Sequence, residues 1–342
     1  MSKKFIIAVI STILFVGIVI SYNYYQKIFG ETITKTTLLF VYPSDNLQNV
    51  KEKMSPFSSH KNTFLFVAAQ KNLKQPKPGC YLLKKGMSNN EIVNMLRVGN
   101  QTPVKVAFNN QDTLEKLAGR ISHQIAADSI SLLDSFLDKK FLTENNFTEK
   151  SVLGMFIPNS YEFYWTISAD NFRNRMLKEY KRFWNSERIA KAKAINLTIN
   201  EVITLASIVQ KETAQNSERP TIAGLYLNRL KNGWPLQADP TVIYAIREKK
   251  GQDYSVKRVL TKDLELPSKY NTYKHKGLPP TLIAMPDVSA IDAVLNAEKH
   301  AYFYMCASIE KIGFHEFSKS LYQHNRNAIK YQRWLSKKGV NR

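Results

Sequence analysis

The stretch Thr198–Thr213, TINEVITLASIVQKET, decides how the rest of the chain reads. Thr198 followed three residues later by Glu201 is a capping box, in which each side chain satisfies a free backbone N–H at a helix start. Val202, Leu205, Ala206 and Val209 then recur at i, i+3, i+4 and i+7, a buried stripe on a helix running toward Thr213. At about 100° per residue, Lys211 falls opposite the stripe, Gln210 on one flank and Glu212 on the other, beside Leu205 and Ile208. Glu212 is therefore expected to be half-buried among aliphatic neighbours. That setting resists ionisation and raises the pKa, as a general acid working near neutral pH requires. A glutamate that pairs with a lysine or caps a neighbouring helix would show the same pattern.

Outward from this helix the punctuation is clear. A second helix is expected from near Ser217, with Ile222, Leu225, Tyr226 and Leu230 on its inner face and Gly233 as its stop. Leu236–Tyr244, Tyr270–Tyr273, Gly277–Pro280 and Ala284–Pro286 set polar and aromatic residues among prolines and read as rigid loops suited to a preformed binding wall. Tyr302–Ala307 reads as a strand, Gly313–Phe317 as a turn into another, and Ser320–Leu335 as a closing helix.

Upstream, Ile33–Val41 alternates as a strand and a short helix follows near Leu47–Met54. Cys80–Lys84 is a second strand, and Ser88 with Glu91 opens a capped helix that ends at Gly99. Val104–Phe108 is a strand candidate, Thr113–Ile121 a short amphipathic helix, and Leu132–Phe147 reads as helices around a charged stretch. Gly154–Trp165 is densely aromatic around Pro158, which suits a core segment or a face on which sugar rings stack. Phe172–Phe183 is a helix carrying five basic residues, the pattern of a solvated face.

Phe5–Ile20 is broken only by Ser11, Thr12 and Gly17, with Lys3 and Lys4 before it and Tyr22, Tyr24 and Tyr25 after. The run and its flanks can cross about 30 Å of hydrocarbon, with tyrosines at the interface. A cleaved signal peptide has the same charged start and apolar middle, but Gly17–Asn23 offers no small-x-small cleavage pattern. The expectation is an anchor at 5–22, a cytoplasmic tail at 1–4 and everything beyond exported.

The 342 residues carry a formal charge of +21, which favours anionic polymers or lipid head groups as partners. With 44% hydrophobic residues the chain can bury a real core, so it is not disordered. Cys80 and Cys306 exclude a disulfide-stapled scaffold and are read as free thiols, the alternative being one bridge between them. The six histidines form no His-Glu-x-x-His pair, and no P-loop, dinucleotide turn or Gly-x-Ser-x-Gly elbow occurs. No metal or cofactor is implied. His315 and His324 could line a cleft or be satisfied structural residues. Nucleic acid is disfavoured because the anchor carries the charge away from it.

Seven blocks in order, ASIVQKET at 206–213, SER at 217–219, NRL at 228–230, LQADPTVIY at 236–244, YNTY at 270–273, GLPP at 277–280 and HN at 324–325, resemble the endolytic murein transglycosylase (YceG-like) family. Pro78–Gly99 resembles that family's small LysM-like module. The resemblance implies an α+β protein: anchor, LysM-like module at 33–100 and a larger mixed α+β catalytic domain at 101–342. It implies a single-pass inner-membrane enzyme whose periplasmic domain cuts nascent peptidoglycan between N-acetylmuramic acid and N-acetylglucosamine, leaving a 1,6-anhydro end. Glycan strands, the inner membrane and peptidoglycan synthases would be its partners; a membrane-anchored, non-catalytic wall binder is the alternative.

The resemblance carries the catalytic glutamate onto Glu212, which precedes Thr213. Substrate contacts are expected from Gln237, Asp239, Tyr270, Asn271, Tyr273, Ser160 and Tyr161. Three departures stand out: Gln210 replaces the family's other glutamate in the block, Asn109-Asn110 stands where Glu-Gly is common, and Asn159 replaces an aspartate. An amide cannot shuttle a proton, so Gln210 leaves Glu212 as the acid.

Overall fold

The structure, a computed structural model, describes residues 2–59, 63–256 and 258–337. The chain is α+β and forms two compact units. The first comprises Met1–Val106, Ser122–Ala127 and Tyr161–Ser168, and the second Ala107–Ile121, Asp128–Ser160 and Ala169–Arg342. Met1 of the expected tail and residues 338–342 of the expected catalytic domain lie outside the described residues.

The first unit begins with α1 (Lys3–Phe29), a single helix with mean hydropathy 2.6 and none of its residues buried. A 27-residue helix is about 40 Å long, enough to cross a bilayer with a turn or two to spare. Then come β1 (Thr37–Val41), α2 (Leu47–Met54), α3 (Thr63–Gln70), β2 (Gly79–Leu83) and α4 (Asn89–Val98). β1 and β2 pair antiparallel, with Leu39 opposite Tyr81 and Val41 opposite Gly79. The expected strand at Ile33 is instead an isolated bridge to Ser58. Leu39, Val41, Val50, Met54, Phe64, Tyr81, Ile92 and Leu96 close one core between the strand pair and its helices. Tyr81 is fully buried, its hydroxyl donates to the Lys77 carbonyl at 2.7 Å, and burial pushes its pKa up to about 12. α4 is capped by Ser88 and Glu91 and stops at Gly99, φ 79°, the left-handed turn glycine takes without strain.

β3 (Val104–Phe108) follows, then α5 (Leu114–Ser122), α6 (Ser129–Phe136), α7 (Lys139–Glu144) and β4 (Asn159–Phe163), which pairs with β3. The aromatic segment is therefore split. Met155, Phe156 and Ile157 enter the core, whereas Ser160 is exposed on β4. α8 (Ala169–Phe183) departs from the solvated-face reading at Arg173, which is buried, donates to the Ser135 carbonyl at 2.8 Å and lies over the Phe141 ring.

The second unit is built on α9 (Ser186–Ala194), α10 (Ile199–Glu212), α11 (Arg219–Lys231), α12 (Asp239–Lys250) and α13 (Val288–Leu295). α10 starts at the Thr198–Glu201 box and is buried from Val202 to Val209. Its burial is wider than the four-residue stripe predicts, because α11, α12 and α13 all pack against it. The loop reading of 236–244 fails from Asp239 onward. Pro240 sits in the first turn of α12, where its missing N–H has no helical partner to lose. β5 (Tyr304–Ala307) and β6 (His315–Ser318) form an antiparallel pair, and α14 (Leu321–Lys337) packs on both strands. Cys80 is a buried free thiol and Cys306 a half-buried one.

Candidate active site

Glu212 is the last residue of α10, half-buried, with Thr213 as the C-cap. The Tyr226 hydroxyl of α11 donates to its Oε1 at 2.6 Å. Burial pushes the Glu212 pKa up to about 7 from an ordinary 4.5, and the negative charge of Asp239 adds to the rise; Tyr226, His315 and Arg229 pull the other way. The C-terminal end of a helix also disfavours a negative charge. The result is a carboxyl that can hold its proton at neutral pH and, once it gives that proton up, is a carboxylate already accepting a hydrogen bond.

The groups that favour the ionised form of Glu212 are themselves fixed in place. Tyr226 is 1% exposed, and burial together with the adjacent Glu212 raises its pKa well above the phenol range, so it stays a donor. Arg229, one turn further along α11, donates from Nε to the Phe303 carbonyl at 2.8 Å and from Nη1 to the Leu236 carbonyl at 2.5 Å. It thus ties the start of β5 to the loop before α12. His315 donates its backbone N–H to buried Glu218 at 2.6 Å, and its Nδ1 lies 2.9 Å from the second Glu218 oxygen. A carboxylate partner makes Nδ1 the protonated nitrogen. His324 is stacked on Tyr304, and burial with the Arg229 charge lowers its pKa.

The wall opposite is the 236–239 loop. Gln237 is exposed with φ 51°, a left-handed conformation that a side chain with a Cβ adopts only under constraint. Its N–H donates to the Thr272 carbonyl at 3.0 Å. Asp239 is exposed at the start of α12, and the Tyr273 hydroxyl donates to its Oδ1 at 2.6 Å. Burial, and then the Asp239 bond, raises the Tyr273 pKa. Glu212, Asp239 and Tyr273 thus lie within electrostatic reach of one another, while Gln237 is two residues before Asp239 in the chain.

The remaining expected contacts have other places. Asn271 is fully buried and donates its amide to the Leu264 and Leu266 carbonyls while its Oδ1 accepts from Tyr273 N–H. It shapes the loop that presents Tyr273, leaving no polar atom for a ligand. Tyr270 is 3% exposed, bonded to Thr281 at 2.7 Å and packed on Tyr244. It lines a cavity of about 950 Å³ with Lys150, Glu248, Leu266 and Pro267, and Glu212 is not among the lining residues. Ser160 and Tyr161 lie on β4, Tyr161 within the first unit. Gln210 accepts from the Asp287 N–H at 2.6 Å and so anchors the 285–287 loop to α10, work an amide does as well as a carboxylate.

The sequence does not single out Tyr226, Arg229 or Glu218 as site residues, and leaves His315 as either a cleft residue or a satisfied structural one. Tyr226 and Arg229 carry one faint signal: a phenol on the inner face of a helix, and a guanidinium one turn later, each needing a buried partner.

Comparison with known proteins now adds to this geometry. The chain is 28% identical over 321 residues to an endolytic murein transglycosylase of Bacillus subtilis (strain 168), covering 88% of this chain and 86% of that protein. It is also 28% identical over 299 residues to the endolytic murein transglycosylase of Streptococcus pneumoniae serotype 2, covering 80% of this chain and 54% of that longer relative. A crystal structure of a YceG-like protein from Listeria monocytogenes superposes with a TM-score of 0.57 at 25% identity, over 85% of this chain and 98% of that one. The YceG-like family model matches residues 39–330, and the chain therefore belongs to the YceG-like endolytic murein transglycosylase family.

Proposed function

We propose that the protein is an endolytic lytic transglycosylase that cuts peptidoglycan strands between N-acetylmuramic acid and N-acetylglucosamine, with Glu212 as acid and then base. One observation carries the reading: a half-buried carboxyl at the end of α10, raised to about 7 and bonded to Tyr226, in a chain of this family. Glu212 protonates the glycosidic oxygen as the C1–O4 bond breaks. The muramic acid C6 hydroxyl then attacks C1 and returns its proton to the Glu212 carboxylate, closing the 1,6-anhydro ring without water. Atoms balance, and the acid is regenerated. The positive charge that develops at C1 is met by the exposed Asp239 carboxylate, which Tyr273 steadies. Gln237 is a further ligand contact, Tyr270 and Asn271 support the wall, and Ser160 and Tyr161 on β4 are glycan contacts in the same proposal.

In the same proposal α1 anchors the protein in the membrane with the remainder in the periplasm, where it meets new glycan beside its synthases. The β1–α2–α3–β2 arrangement supports a LysM-like glycan-binding role for residues 33–100, ahead of a catalytic domain at 101–342. The test is purified glycan strands digested by wild type and Glu212→Gln. Wild type is expected to release anhydro-ended products, and the variant at least a hundredfold less. Equal product from both would sink the assignment; no product from either would leave a non-catalytic wall binder. Pull-downs of the full chain are expected to recover a wall synthase, and recovery of none would count against that partnership.

A further inference from the structure

Trp234 is 39% exposed, while Trp165 and Trp184 are 5% and 4%. The exposed indole is not a lone surface residue but the outer member of an aromatic patch with partly exposed Phe303 and Tyr304. The ring is preorganised. Its centroid lies 5.0 Å from Phe303 and 5.8 Å from Tyr304, and Tyr304 stacks in turn on His324. The Trp234 backbone N–H donates to the Arg229 carbonyl at 2.9 Å, and Gly233 makes the left-handed turn at φ 65° that ends α11. Arg229 holds both sides of the platform through Leu236 and Phe303, and its charge acts on Glu212 and His324 alike. Trp234 and Asp239 are five residues apart, so their Cα atoms lie within about 18 Å.

We propose that Trp234, backed by Phe303 and Tyr304, is a stacking subsite for a pyranose ring of the glycan, beside the bond that Glu212 breaks and not at it. The inference rests on that reading of Glu212. A pyranose presents a face of C–H groups that packs on an aromatic ring and expels water from both. The platform's own surface is aromatic, with Arg229 buried beneath it, which fits an uncharged sugar face better than an acidic peptide.

The experiment uses the full chain in detergent, in a Glu212→Gln background that holds substrate uncut. The probes are uncross-linked glycan strands and an N-acetylglucosamine hexamer, read by tryptophan fluorescence and by co-sedimentation. Trp234→Ala is expected to weaken binding about tenfold and Trp234→Phe no more than about threefold, as aromatic stacking energies convert. The fluorescence change on binding should vanish in Trp234→Phe, which keeps a ring against Phe303 and so reads out even where Ala disturbs folding. In the active enzyme Trp234→Ala should raise KM with kcat within about twofold, the mark of uniform binding. Unchanged affinity in a folded Trp234→Ala variant, or a fluorescence change that persists in Trp234→Phe, would overturn the subsite. Residual cleavage by Glu212→Gln would instead strike the acid assignment and leave the binding result standing.

Discussion

Glu212 ionises near 4.5 in the unfolded chain and near 7 in the folded one, so between those values the folded state holds the extra proton. Stability falls as pH rises through that window and stays reduced above it. Glu212→Gln carries no such loss. Denaturant unfolding should find the variant gaining on wild type between pH 4 and pH 8 by about 1–3 kcal/mol, after discounting for Glu212's partial exposure. A gain of the same size at both pH values would mean the site does not hold the carboxyl neutral. Tyr226→Phe removes the hydroxyl that stabilises the ionised form, so the Glu212 pKa should climb further. The alkaline limb of the kcat/KM profile is then expected to move upward, and a downward move would contradict the hydrogen bond's direction. The half-burial of Glu212 was legible in the helical period, whereas its assignment as the acid came only with the family resemblance. Tyr226 was legible only as a core residue, since its hydroxyl meets Glu212 through the crossing of two helices.

At the scale of elements, α11 is pressed against the chain before β5. A Cβ on Gly224 would stand 2.2 Å from the Glu298 carbonyl oxygen and 2.7 Å from His300 Nε2. Gly224→Ala therefore should destabilise by about 1–3 kcal/mol in denaturant unfolding, although alanine is intrinsically the better helix former by about 1 kcal/mol. A stabilised variant would show that the 298–300 segment is free to retreat. Capping boxes at Asn46, Ser88 and Thr198 are local devices, written within four residues, and the latter two were read directly. The start of α12 was misread because Pro240 breaks helices everywhere except their first turn, and what precedes it is no Ser or Thr cap but Ala238.

On the scale of the molecule, α1 divides into two parts. Its N-terminal turns are exposed, whereas Tyr24 packs edge-on against Phe66 at 5.5 Å and fully buried Asn89 donates to the Lys27 carbonyl. Deleting residues 2–21 should move the protein from the membrane to the soluble fraction with its thermal midpoint unchanged. Deleting through Phe29 should lower that midpoint by several degrees, because Asn89 and Phe66 lose their cover. Equal midpoints would show that the end of α1 does not support the first unit. The amino-acid order alone determined the long apolar helix, the capped helices, most of the strands and the half-burial of Glu212, all matters of period, composition and spacing over a few turns of chain. Folding in three dimensions settled the company Glu212 keeps. Tyr226 and Arg229 from the next helix, Asp239 with its partner Tyr273, and the Glu218–His315 pair come from positions up to about a hundred residues apart. Burial and charge at a single carboxyl depend on distances through space, which no local pattern encodes.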